Sequence, residues 1–399
     1  VKGQVLISGA SIAGPALAYW LHEYGMTSVV VERHDGIRPG GQTVDLRGAG
    51  RTVARRMGIE DAVRARSTGE DGVAFVDARN RVKAAFAADV FGGEGFVAEL
   101  EILRGELAEL LHERTRERTE YVFGDRITAV DDRDDEILVS FAHGPDRAFD
   151  VVVAADGIGS TTRGLVFGDE ARVTPLGLYT AYLTIPRAAS DGSWARWHNA
   201  PGGRVVALRP DNLGTTRALM SFLCPPRGYE RLPAAEQKEL LRRVFADAGW
   251  EAPRVLRELD AADEFYCELV GQVRAPRWSR GRVVLLGDAG YCASPISGMG
   301  TSLALVGAYV LAGELAAQPG HRAAFGSYER IMRPYVAQAQ HLPPFTPRIA
   351  HPRSRVGIGF LNTLLATAAN PTVQRLARRF MSPPAEKIDL PDHTGLRRA

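Results

Sequence analysis

Gly9-Ala10-Ser11-Ile12-Ala13-Gly14 is the stretch that decides the fold of this chain. An apolar run, residues 5–8, precedes it, residues 12–23 carry helical periodicity, and a β-branched run, 28–32, ends in Glu32. Strand, glycine turn, helix and strand make a βαβ unit. The hexapeptide fits the G-x-G-x-x-G dinucleotide fingerprint, with Ser11 at the second glycine. Gly9 permits the tight turn and Gly14 lets helix lie close on strand. The helix start at Ile12 and Ala13 offers unpaired amides and a positive dipole end to a pyrophosphate. Glu32 stands at the spacing of about 20 residues where a carboxylate meets a ribose diol. Arg33, beside it, joins the same candidate set.

Two more glycine-bearing segments follow apolar strands. Asp156-Gly157-Ile158-Gly159-Ser160-Thr161-Thr162-Arg163 comes after the strand 151–155, and Gly287-Asp288 after 283–286, with Pro295, Gly298, Met299, Gly300 and Thr301 downstream. Helical patterns cover 49–57 and 101–116, the second carrying Arg104 and an apolar face of Leu103, Leu107, Leu110 and Leu111. Residues 121–149 read as a meander of short strands. From 179 to 274 strands dominate, at 179–185, 204–208, 217–223 and 264–270, interrupted by a helical insertion at 234–248. A hairpin over 72–86, turning at Arg79-Asn80, joins them.

The expected fold class is α/β. A discontinuous Rossmann-like dinucleotide-binding domain takes residues 1–71, 95–172 and 275–325, and a β-sheet substrate domain takes 72–94 and 173–274. A C-terminal helical region, 326–399, is broken at Pro343, Pro344 and Pro347, with an irregular tail from Pro383-Pro384.

The chain's 399 residues exceed what one core usually serves, which agrees with this division. With 45% hydrophobic and 24% charged residues, the composition is that of a folded protein. A formal charge of +2 gives no nucleic-acid surface. Lysine occurs only at Lys2, Lys83, Lys238 and Lys387, so the many arginines reflect a compositional bias and none is informative by type alone. Cys224, Cys267 and Cys292 have no metal spacing, and no charged-then-apolar leader precedes the first strand. A reducing cytoplasm, no metal and no membrane are expected. The charge-poor stretch 296–313 is long enough to weigh as a membrane span, but it follows a buried-type strand and reads better as a core helix.

The three ordered segments resemble the signature of the group A flavin monooxygenases, the family of p-hydroxybenzoate hydroxylase. The likeness runs to about Arg333. It implies that the dinucleotide is FAD, that Asp288 meets the ribityl chain, and that Asp156, Gly157 and Arg163 support the flavin and nicotinamide side. It gives Arg104 the flavin tail. Gly298, Met299, Gly300 and Thr301 would place backbone donors where reduction puts negative charge on the ring. Two positions depart from the pattern: Tyr291 stands where His is common and Ser302 where Asn is common. Within the family the likeness points to tetracycline-inactivating flavin monooxygenases and small polyketide-tailoring hydroxylases. It rests on Gly40-Gly41-Gln42-Thr43-Val44-Asp45-Leu46, Gly298-Met299-Gly300-Thr301-Ser302-Leu303, Ile388-Asp389-Leu390-Pro391-Asp392, and Arg196 in Trp194-Ala195-Arg196-Trp197.

The implied reaction uses NADPH or NADH as a transient reductant and O2 as co-substrate. It hydroxylates a small aromatic or polycyclic substrate through a C4a-hydroperoxyflavin, in a monomer or homodimer. Arg47 and Arg196 are candidates to meet flavin or substrate, and His198 to deprotonate a phenol. Tyr182, Trp197 and Phe222 are candidates to line the pocket. A halogenase is disfavoured because its WxWxIP segment is missing. A flavin-dependent reductase or dehydrogenase, and a ligand-sequestering flavoprotein without turnover, are the alternatives.

Overall fold

A computed structural model describes residues 3–88, 100–370, 372–373 and 388–397. Its central sheet orders six strands as Ser279–Arg280, Val283–Leu285, Val151–Ala154, Gln4–Ser8, Thr27–Glu32 and Glu120–Phe123. Every neighbouring pair is parallel except the first. Val5, Leu6, Ile7, Val151, Val152 and Val153 are fully buried, as strands covered on both faces must be. Helix Ala13–Glu23 and the long helix Gly300–Ala317 pack on each other beside this sheet. Gln4–Ser8, Val151–Ala154 and Val283–Leu285 lie side by side and run the same way. The three glycine-bearing turns therefore leave the sheet at one edge.

The second large sheet has seven strands, ordered Phe265–Arg274, Arg172–Pro186, Thr215–Leu223, Arg204–Pro210, Trp194–Ala200, Gly72–Val76 and Val82–Ala87. Because side chains alternate along a strand, register assigns its two faces. Tyr266 pairs with Tyr182, Tyr182 with Leu219, Leu219 with Ala207, Ala207 with Trp197 and Trp197 with Phe75, so these six share one face. That face looks toward the first sheet: the Tyr266 hydroxyl donates to Gln42, and Gln272 donates to the Ala293 carbonyl at 3.1 Å. The opposite face buries Ala181, Leu183, Val206, Leu208, Met220 and Phe222 against Leu240, Leu241, Phe245 and Val255. These last four come from helices Ala234–Phe245 and Ala252–Glu258. This core is separate from the one around the parallel sheet.

Several element expectations change. Glu101–Leu103 is a strand paired with Thr43–Asp45, and the helix begins only at Arg104. Glu120–Phe123 belongs to the parallel sheet, which leaves Ile127–Asp132, Ile137–Phe141 and Arg147–Phe149 as the antiparallel meander. Trp194–Ala200, which shows no clean alternation in sequence, is a strand. The hairpin turn at Asn80 holds, with φ 60°. Among the described residues only helix Gly300–Ala317 is long and apolar enough to cross a membrane; it is 83% buried, a core helix. The expected joint at 94/95 and the tail at Pro383-Pro384 fall outside the described residues.

Candidate active site

The first turn is built by close approach. Gly9 has φ 108°, and a Cβ there would lie 2.6 Å from the Ala155 carbonyl oxygen of the neighbouring turn. Gly14 sits against the Gly9 carbonyl in the same way. Glu32 organises the loop, accepting from the Ala10 amide at 2.9 Å and the His34 amide at 3.1 Å. Ser11 receives a hydrogen bond from Arg104 at 3.3 Å. Arg104 is deeply enclosed, and that burial depresses its pKa. Gly41 makes room for it, since a Cβ at that glycine would fall 2.7 Å from Nε. Arg33 is exposed at the strand end.

Asp156 accepts from the Ser160 hydroxyl and from Thr162 Oγ1 at 3.1 Å, and Thr162 Oγ1 lies 3.1 Å from the Ser8 hydroxyl, tying the second turn to the first strand. Gly157 has φ 83°. Arg163 is buried and donates to the carbonyls of Ala289 at 2.9 Å and Ile158 at 2.7 Å. Its guanidinium is thus spent on lashing the second and third turns together. Gly287 has φ 63°, and a Cβ there would come within 3.2 Å of Ala13, so the third turn abuts the first. Asp288 lies deep in the molecule, and burial raises its pKa, yet much of its own surface is uncovered. That combination marks a side chain lining a cleft.

Pro295 and Gly298 lead into helix Gly300–Ala317. Gly298 is left-handed at φ 62°, and the Met299 amide donates to Ser297 at 3.2 Å. Helix geometry leaves the amides of Gly300, Thr301 and Ser302 without intrahelical partners, and the first turn carries no acid, so this end favours an anion. Arg47 ion-pairs with Asp45 at 2.8 Å, and its carbonyl accepts from Ser302 at 3.1 Å, which fixes that loop to the helix start. Both departures from the family pattern have local partners. Ser302 makes the bond just given. Tyr291 points into the core, with its hydroxyl 2.8 Å from that of Tyr328.

Arg196 and His198 are not brought to this cleft. Both sit on the far face of the second sheet. Arg196 pairs with Asp191 at 2.7 Å and lies over Trp250, and His198 stacks near the same Trp250 and bonds the Val76 carbonyl at 3.1 Å. Phe222 is in the far-face core. Alternation is the reason: Trp197, between Arg196 and His198, faces the cleft side with Tyr182. Residues missed in sequence also occupy that side: Tyr266, Glu268, Thr180, Ser221 and His351. The signal was the register of Phe265–Arg274 against Arg172–Pro186, which a single sequence does not display. Among the described residues no cluster of His, Cys, Asp or Glu has metal-binding geometry.

The donor set suits a dinucleotide. Two helix starts and close-approach glycines ring one edge of a parallel sheet, and the buried hydroxyls Thr43 Oγ1, on the bordering strand Thr43–Asp45, and Ser294 Oγ, in the loop after Asp288, have no protein partner. This architecture defines an FAD-binding domain, and the family model described as FAD binding domain matches residues 2–341. The chain belongs to that family and is a flavin-dependent monooxygenase. It is 36% identical to the flavin-dependent monooxygenase eupH of Phoma sp., over 98% of each chain. An uncharacterized protein of Mycobacterium tuberculosis (strain ATCC 25618 / H37Rv) is 39% identical, over 85% of this chain and 92% of that protein. The crystal structure of tetracycline destructase Tet(51) superposes with a TM-score of 0.82 at 30% identity, covering 98% of this chain and all of that one. The p-hydroxybenzoate hydroxylase-like fold, with an FAD-binding domain, further sheets and C-terminal helices, is thereby established.

Proposed function

We propose that this enzyme transfers one atom of O2 to a small aromatic or polycyclic molecule of polyketide or tetracycline type, with NADPH or NADH as reductant. Bound FAD supplies the redox chemistry; the chain's residues position it and shape its field. Gly9, Ser11, Ile12, Ala13 and Gly14 hold its pyrophosphate and Glu32 its ribose, while Arg33, Arg47 and Arg104 border its length. Asp156, Gly157 and Arg163 fix the adjoining turn, and Gly287 and Asp288 meet its polyol chain. Pro295, Gly298 and Met299 shape the loop, with the Gly298 and Met299 amides held inside it, and Gly300 and Thr301 at the helix start present amides to the charge that reduction places on the ring.

Tyr182, Leu219, Ala207 and Trp197 offer the substrate an apolar wall that also excludes water. Residues 1–71, 95–172 and 275–325 form the FAD domain in this reading, 72–94 and 173–274 the substrate domain, and 326–399 the helical cover. Three free cysteines agree with a reducing cytoplasm, where the enzyme works as a monomer or homodimer.

The observation that carries the proposal is the meeting of three glycine-bearing turns at one sheet edge, facing a second sheet whose near side carries an apolar row from Tyr182 through Leu219 and Ala207 to Trp197. The kinship with tetracycline destructase Tet(51) supports the substrate class. The test is NADPH oxidation by the FAD-loaded enzyme with tetracycline, simple phenols and aromatic polyketides, followed by mass spectrometry. A product heavier by one oxygen atom, formed with O2 uptake, is expected from at least one of them. NADPH consumption with reduced product and no O2 uptake would make it a reductase. Binding with unchanged ligand would make it a sequestering protein.

A further inference from the structure

Glu268 belongs to neither the fingerprint nor the expected pocket, yet the fold aims it at the cleft. It lies on strand Phe265–Arg274 between Tyr266, whose hydroxyl reaches Gln42, and Gln272, which reaches the Ala293 and Gln340 carbonyls at 3.1 and 2.9 Å. Side chains two apart share a face, so Glu268 points between the loop after Gly40 and the loop after Asp288. On the neighbouring strand its register partner is Thr180. One step along, Tyr182 stacks on Tyr266 with ring centroids 4.8 Å apart, and its hydroxyl acts on the Glu268 carboxyl, favouring the charged form against the larger effects of burial and Asp288. Across the cleft the charge that acts on it is Asp288, and the Cys292 thiol faces both acids. No cation is among the groups that act on Glu268.

Two acids lining one cleft and acting on each other without a cation between them favour a state in which they share one proton. Asp288 has the Cys292 thiol to steady its charge, whereas burial and the Asp288 charge push Glu268 up to about 7. We infer that Glu268 is a cofactor-site residue that works as a neutral acid: Asp288 accepts, Glu268 donates, and their common ligand is the hydroxyl-bearing chain of the flavin. A polyol both donates and accepts, so a carboxylate paired with a carboxylic acid matches it better than two carboxylates. The inference rests on the FAD site and not on the substrate or the oxygen chemistry.

The test uses the FAD-loaded protein and does not depend on turnover. In wild type, infrared spectra should show a protonated-carboxyl band that persists to neutral pH and is missing from Glu268→Gln. In dilute holoenzyme, flavin fluorescence should report FAD release as pH rises from 6.5 to 8.5, with affinity falling by up to about tenfold per unit once the carboxyl ionises. Glu268→Gln keeps a donor that does not titrate, so its affinity should match wild type at pH 6.5 within about threefold and stay level to pH 8.5. A wild type without the band, or a Glu268→Gln variant that keeps the same loss with pH, would overturn the inference. Buried Glu101, whose pKa burial also raises, can contribute a band of its own, so if the variant does not fold the wild-type affinity decides: no loss of FAD between pH 6.5 and 8.5 overturns the inference. Loss of oxygenase activity with these results intact would count against the proposed reaction alone.

Discussion

Single side chains carry the sharpest distinction in this molecule. Arg196, Trp197 and His198 are consecutive, and the strand sends the middle one toward the cleft and its neighbours away. His198 is held by the Val76 carbonyl and Trp250, and burial lowers its pKa, so it stays neutral in a structural role. His198→Ala should therefore leave kcat/KM within about twofold of wild type while costing stability on the order of 1–3 kcal/mol through the lost packing and hydrogen bond. Trp197→Ala, which removes an aromatic wall, should lower kcat/KM at least tenfold and raise the share of NADPH oxidised without product. Equal losses from both variants, measured as coupled product per NADPH, would remove the assignment of faces.

Elements were legible to the extent that their determinants are local. The βαβ unit, the strands before Asp156 and Gly287, and the hairpin at Asn80 announce themselves by apolar runs and turn residues. The facing of Trp194–Ala200, the role of Glu268 and the strand at Glu101–Leu103 depend on partners far along the chain. No window of sequence contains those partners. The short helix Thr346–Ala350 is a further case, because it is anchored by His351 at its end. His351 Nδ1 lies 3.0 Å from the Pro347 carbonyl and Nε2 3.1 Å from Ser221 on the second sheet, and burial pushes its pKa down from 6.5 to about 4. A base whose folded pKa is depressed is taken up preferentially by the unfolded chain on acidification. Its contribution is therefore complete above about pH 6.5 and is lost as pH falls to about 4. At 1.36 kcal/mol per pKa unit this amounts to roughly 3 kcal/mol. Urea unfolding of wild type and His351→Phe across pH 7.5 to 4.5 should show the wild type losing about 2–3 kcal/mol more than the variant. Parallel curves would show that His351 titrates normally.

At the scale of the whole molecule, two sheets, each with its own core, face each other across a cleft whose walls include acids, unpaired hydroxyls and helix starts. Such a lining costs free energy until a polar ligand satisfies it. FAD should consequently act as a structural component as well as a reactant, and the fold should be measurably weaker without it. A ligand that binds only the folded state stabilises by RT ln(1 + [L]/Kd), about 2.7 kcal/mol at a hundredfold excess over Kd. Thermal unfolding followed with increasing FAD should give a midpoint that climbs steadily with the logarithm of free FAD. Gly9→Ala is the control. Its Cβ collides with the backbone of the next turn and its φ of 108° suits only glycine, so that variant should start with a lower midpoint and respond little to FAD. A wild-type midpoint indifferent to FAD would mean that the cleft is stable as the chain alone builds it, and that the polar lining needs no cofactor to satisfy it.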